Sequence, residues 1–217
     1  MTAATGRTLG QLRRLASLTM PMTIWELRCA SINDYAMTVP LDKSGMRAYL
    51  FDVNGEPLNW KRVPHVGFAD SSRKKHKRPP ADVSVMVPGA LVLNGRAYAE
   101  LGPFLSRFGQ LLELHTETGL DPREFYNEAE PGTRYFYNVT HLVPCVDLER
   151  SERNDLGHIR LEVFDTTNVP VEAAVFKDPA TAKSRIYVND AGKALIDELV
   201  ASAGLTGIEC APPRPRL

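Results

Sequence analysis

Apolar and polar positions alternate with a period of two in several stretches of this chain, and with the helical period in two others. From Ile24 onward, Trp25, Leu27 and Cys29 oppose Glu26 and Arg28, the pattern of a strand with one face covered and the other wet. The fold is expected to begin there. Arg47 to Val53 sets Tyr49, Phe51 and Val53 on one side and runs into Asn54-Gly55, which predicts a second strand closed by a tight turn. Asp82 to Leu93 alternates apolar with small residues around Pro88-Gly89, and Gly95 to Phe108 then carries Tyr98, Leu101, Leu105 and Phe108 at helical spacing. Gly102-Pro103 should kink or split that helix, because proline removes a backbone donor and crowds the preceding turn.

Further on, Gln110 to His115 is short and apolar enough for a strand, and Tyr135 to Val146 is rich in aromatic and β-branched residues, as a central strand would be. Ile159 to Phe164, Val169 to Phe176 and Arg185 to Val188 predict further strands. Asn189-Asp190 can cap a helix whose Leu195, Leu199 and Val200 share a face, and Gly204 supplies its left-handed stop. These elements predict an α+β fold. The expected architecture is a single domain with a mixed or antiparallel curved sheet and helices packed on one side.

The 217 residues suffice for one well-filled core. Residues 22–211 are read as the domain, 1–21 as a flexible N-terminal extension rich in arginine and leucine, and 212–217 as a loose tail with several prolines. Apolar residues make up 43% and charged residues 24%, so a wholly disordered chain is excluded. The 26 basic residues balance the 26 acidic ones, and no net field draws the protein to nucleic acid or to anionic lipid. The apolar runs fall short of the roughly 20 residues that cross a bilayer. Neither nucleic acid nor membrane is expected as a partner.

Local charge is less even. Asn59 to Pro80 contains Arg73-Lys74-Lys75-His76-Lys77-Arg78 and two prolines, and reads as a solvated loop. Glu113, Glu117, Asp121, Glu124, Glu128 and Glu130 stand against Arg123 alone, in a stretch broken by Gly119, Pro122 and Pro131-Gly132. An exposed acidic segment is predicted there. Cys29, Cys145 and Cys210 form no CxxC pair, which argues against a disulfide framework and for a reducing cytoplasm.

A search for chemistry yields little. The histidines, at 65, 76, 115, 141 and 158, never fall at i, i+4 around a glutamate, so they read as ordinary strand and loop residues and no metal is expected. No phosphate-cradling glycine loop is present, and no cofactor is expected. His141 and Cys145, four apart on one continuous strand, would share a face at a separation too long for direct proton transfer. Asp147 and Glu149 with His141 could serve a small hydrolase or transferase. A cluster after a strand more often shapes the next turn, with Arg150 or Arg153 neutralising it.

The order of several segments adds what the residue chemistry lacks. Arg73 to Pro80, Asp82, Ala90 to Leu93, Gly95 to Phe108 and Val143-Pro144-Cys145-Val146-Asp147-Leu148-Glu149-Arg150-Ser151 follow one another. Val175-Phe176-Lys177, Ile186-Tyr187-Val188-Asn189-Asp190 and Ala203-Gly204-Leu205-Thr206-Gly207-Ile208 come after them. In this order they resemble immunity family eleven of bacterial polymorphic toxin systems, formerly a domain of unknown function. The acidic stretch from Glu113 to Thr133 and Pro144 depart from that pattern. The resemblance implies a protein without catalytic residues that neutralises a cognate toxin or effector, of polymorphic or type VI secretion type, by occlusion. A neighbouring gene would encode that toxin, and homo-oligomerisation is left open. If the toxin's site is basic, Glu117, Asp121, Glu124, Glu128 and Glu130 are the expected partner-binding residues.

Overall fold

A computed structural model of the chain describes residues 22–30, 34–41, 51–69, 78–127 and 132–215. In chain order it begins with strands β1 (Ile24–Cys29), β2 (Met37–Pro40), β3 (His65–Ala69), β4 (Val83–Ser84) and β5 (Leu91–Leu93). Helix α1 (Gly95–Leu105) follows, then β6 (Gly109–Thr116), β7 (Phe125–Tyr126) and β8 (Gly132–Val139). The last third adds β9 (Glu152–Arg153), β10 (Ile159–Leu161), β11 (Val175–Phe176), β12 (Tyr187–Asn189), α2 (Asp190–Ala203) and β13 (Ile208–Ala211).

The fold is α+β, as the patterning predicts. The larger sheet runs β2-β3-β6-β8-β5-β4, with β7 also paired to β3, and it is mixed because β3 and β6 are parallel while its other pairs are antiparallel. A smaller antiparallel sheet runs β11-β12-β1-β13, and β9 and β10 form a separate hairpin. Alternation along the strands divides the apolar residues among three clusters. Leu91, Leu93, Tyr137 and Val139 of the larger sheet meet Leu27, Val175 and Val188 of the smaller one around Leu101, Leu105 and Ile196 of the helices. The opposite face of the larger sheet packs Val66, Val92, Leu114 and Phe136 under Phe51, Val53 and Trp60. Ile24, Phe176 and Tyr187 on the outer face of the smaller sheet pack with Val143, Cys145 and Val169.

Several local expectations are corrected. Glu26 of β1 is not on a wet face but buried, because the Arg185 guanidinium bridges it (2.6 Å) and Glu162 (2.7 Å). Of the predicted strand at Arg47 to Val53, residues 42–50 lie outside the described residues. Phe51 to Val53 is irregular but buried, and Asn54 Oδ1 closes a bend by accepting from the Glu56 amide (2.9 Å). The stretch from Asn59 to Pro80 is not all loop, since it holds β3 with Val66 and Phe68 fully buried; residues 70–77, and with them most of the basic run, lie outside the described residues. Pro103 does not split α1, which runs unbroken from Gly95 to Leu105 with the proline in its last turn. The strand expected from Tyr135 to Val146 ends at Val139, and Val143 and Lys177 continue by side-on bonding instead.

α2 forms as predicted, with Asn189 as its N-cap and Gly204 at φ +60° as its stop. Residues 212–215, expected to be loose, are tied in: Arg185 donates to the Arg214 carbonyl and Arg28 to that of Pro212. Residues 1–21 lie outside the described set. Among the described residues no helix is long and apolar enough to cross a membrane.

Candidate functional site

The acidic stretch is built onto one end of the larger sheet. β6 carries Glu113 and His115 on one side, Glu117 follows just past its end at the same parity, and β3 runs parallel to it with His65 opposite His115. Backbone bonds fix these positions: His115 N donates to the Pro64 carbonyl (3.0 Å) and Glu117 N to that of Val66 (2.9 Å). The chain beyond Glu117 then folds back over β3. Gly67 makes room for it, since a Cβ at that position would run into the side chains of Leu120 (2.7 Å) and Phe125 (3.3 Å). Asn127 brackets the excursion by bonding both the Leu120 amide (3.1 Å) and its carbonyl (2.8 Å). Asp121 turns the chain by accepting from the Arg123 amide (2.9 Å).

The segment is therefore ordered by its apolar residues and carries its carboxylates outward. Glu124 is exposed and Asp121 and Glu117 are half-buried. Glu128 and Glu130 lie outside the described residues. The Arg123 guanidinium grips both oxygens of Asp121 and also feels the charge of Glu124, and His65 Nδ1 bonds Glu117 Oε1. His65 and His115 stand with ring centroids 5.0 Å apart. One ligand atom from each of His65, His115 and Glu117 can be chosen so that all three lie within 4.8 Å of one another. Spacing along the chain could not reveal this group. It depends on the pairing of β3 with β6, and β3 itself is hidden in a stretch dominated by charge and proline.

The residues weighed for catalysis are each engaged locally. Asp147 Oδ1 accepts from the amides of Glu149 (3.1 Å) and Arg150 (3.0 Å), shaping the turn that carries them, while Glu149 itself points to solvent. His141 stacks on Phe108 and its Nδ1 lies 3.1 Å from the Val175 carbonyl. Cys145 does not share a continuous strand with His141. Burial, reinforced by the nearby Asp178 carboxylate, pushes its thiol up to about 12, the opposite of what a nucleophile needs. Burial also raises Cys29, to about 11, and Cys210, to about 12.

Two further features escaped the sequence reading. A shallow cleft of about 170 Å³ opens beside Arg28, Cys29, Pro88 and Ser184, smaller than the roughly 300 to 1,000 Å³ usual for small-molecule sites. Lys177 is fully buried, with its Nζ 2.6 Å from the Val53 carbonyl. Burial lowers its ammonium to about 7, against the pull of Asp52. No signal in Val175-Phe176-Lys177 marks a buried lysine, because the covering segment lies more than a hundred residues earlier. Compared with known proteins, the chain matches no family model and no curated protein.

Proposed function

We propose that this protein is an immunity protein that binds a cognate bacterial toxin and blocks it by occlusion, working in the reducing cytoplasm. The observation that supports the reading is that several of the segments bearing the resemblance are neighbours in the fold. Val175 and Phe176 pair with Val188 and Tyr187. Lys177 bonds the chain on either side of Leu142 through its amide and carbonyl, just before the Val143 to Ser151 segment. Thr206 closes on Asp82, and Val83 N donates to the Thr206 carbonyl (3.0 Å).

Occlusion asks for a surface rather than a reaction, about 1,200 to 2,000 Å² in all for a stable complex. The exposed Glu124 carboxylate, beside the Asp121–Arg123 pair near β3 and β7, supplies acidic charge that such a surface would present to a basic toxin. Co-expression with the toxin-like product of the adjacent reading frame is the direct test, and rescue of growth with co-purification is the expected result. In the purified complex, Asp121→Lys with Glu124→Lys should weaken affinity at least tenfold, mostly through a slower on-rate that loses its dependence on salt. Slowed growth on expressing the chain alone would identify a toxin instead. Turnover of a small substrate abolished by His141→Ala would favour the hydrolase or transferase reading.

A further inference from the structure

We propose that His65, His115 and Glu117 form a three-ligand site for a divalent transition metal of the zinc type, on the end of the larger sheet where β3 and β6 run side by side. The scaffold fits this role. Neighbouring strands lie about 4.8 Å apart, and alternate residues on one strand about 6.8 Å apart on the same face. One ligand from β3 and two from positions i and i+2 of β6 and its extension therefore converge on a common point above the sheet. The backbone positions are pinned on both sides: Leu41 N donates to the His65 carbonyl (3.0 Å), His115 N to Pro64 and Glu117 N to Val66.

The side chains are already gathered. His65 Nδ1 is in contact with Glu117 Oε1, and the His115 ring sits 5.0 Å from that of His65 at an interplanar angle of 55°. Zinc takes histidine nitrogen and carboxylate oxygen at about 2.0 to 2.2 Å, which sets tetrahedral ligand atoms about 3.3 Å apart. The observed spread is within 4.8 Å, and binding would require rotations about side-chain bonds to draw the three atoms in to that distance. Two imidazoles and one carboxylate suit zinc, copper or nickel better than calcium or magnesium, which favour all-oxygen sets. The His65 and Glu117 side chains keep 51% and 37% of their surface exposed. An ion can therefore enter directly, and its fourth position faces solvent, open to water or to a partner's side chain. An ion pair between His65 and Glu117 alone would leave the facing placement of His115 without a role.

Metal binding at this group can be measured without any toxin present. Zinc titrated calorimetrically into the full-length, metal-stripped protein should bind at one equivalent, and cobalt should give the visible absorption bands of a low-coordinate site. His65→Ala and His115→Ala should each weaken zinc binding at least tenfold and abolish those bands, while His158→Ala, at an exposed hairpin position, should change neither. Absence of one-equivalent binding by the unmodified protein would overturn the site whatever the variants do. Full-strength binding by the double variant His65→Ala/His115→Ala would also overturn it.

Discussion

Asp82 shows how much one buried carboxylate can organise. Its Oδ2 accepts from the Thr206 amide (2.9 Å) and hydroxyl (2.8 Å), its Oδ1 from the Asn94 side chain (2.9 Å), and its own carbonyl from the Asn94 amide (2.8 Å). Asn94 is the N-cap of α1 and Thr206 follows the end of α2. One side chain thus joins two helix termini to the β4 strand. Next to it, Gly207 at φ +82° passes so close to β4 that a Cβ would collide with the Val83 carbonyl. Burial alone would raise the Asp82 carboxyl, but the bonds from Asn94 and Thr206, with the Arg96 charge, outweigh it and hold the group below its ordinary value. A carboxyl lowered in this way adds stability that is present above the unfolded value, near pH 4, and is lost as pH falls through the folded value. Asp82→Ala should therefore cost about 1 to 3 kcal/mol at neutral pH, since it removes the acceptor of several part-buried donors. The difference from the unmodified protein, read from urea midpoints, should shrink below pH 4. Equal differences at pH 7 and pH 3 would mean that the carboxylate's charge contributes nothing. An Asp preceding a hydrophobic hairpin and a Gly-Leu-Thr-Gly turn were both visible in the sequence, but their meeting across 124 positions was not.

At the scale of elements, legibility followed how much of each element's cause is local. α2 could be read because cap, apolar stripe and left-handed stop all lie within its own residues, and β1 because its alternation is uninterrupted. β3 could not: five residues after Pro64 with a glycine at their centre carry little period, and what makes them a strand is pairing to β2, β6 and β7. The candidate metal group was hidden for the same reason. Even for α2, local rules understate the cap. Asn189 is fully buried; its Oδ1 accepts from Gly192 N (2.8 Å) and Ala174 N (3.1 Å), and its Nδ2 donates to the carbonyls of Pro170 (2.6 Å) and Glu172 (2.7 Å). On isolated helices aspartate and asparagine cap about equally well. Here Asn189→Asp would replace a donor by an oxygen facing two carbonyls, so it should destabilise by about 2 to 4 kcal/mol, seen as a lowered urea midpoint. A variant as stable as the parent would mean that the carbonyl contacts carry no weight.

Across the whole molecule, Lys177 couples regions that composition treats as separate. Its backbone bonds both sides of Leu142, and its Nζ reaches the Val53 carbonyl in the segment that covers the far face of the larger sheet. Nearby, Lys183 bonds Asp52 from the surface (3.0 Å). Fold class and the last helix were readable in advance, whereas this contact joins residues 124 positions apart, so no local pattern announces it. Its consequence is a pH dependence of definite sign. The unfolded chain holds the lysine proton up to about pH 10.4, whereas burial lets the folded protein release it near 7. Between those values the unfolded state binds more protons, so stability rises with pH, by up to roughly 1.4 kcal/mol per unit from this group. Below 7 the charged amine is buried and its cost is fully felt. Lys177→Met removes the charge while keeping the length of the side chain, at the expense of the bond to Val53. Its stability relative to the parent should be most favourable near pH 6 and should decline steadily toward pH 10. Urea midpoints of both proteins at intervals across that range measure the effect, and a flat difference would place the charged amine in the folded interior at every pH tested.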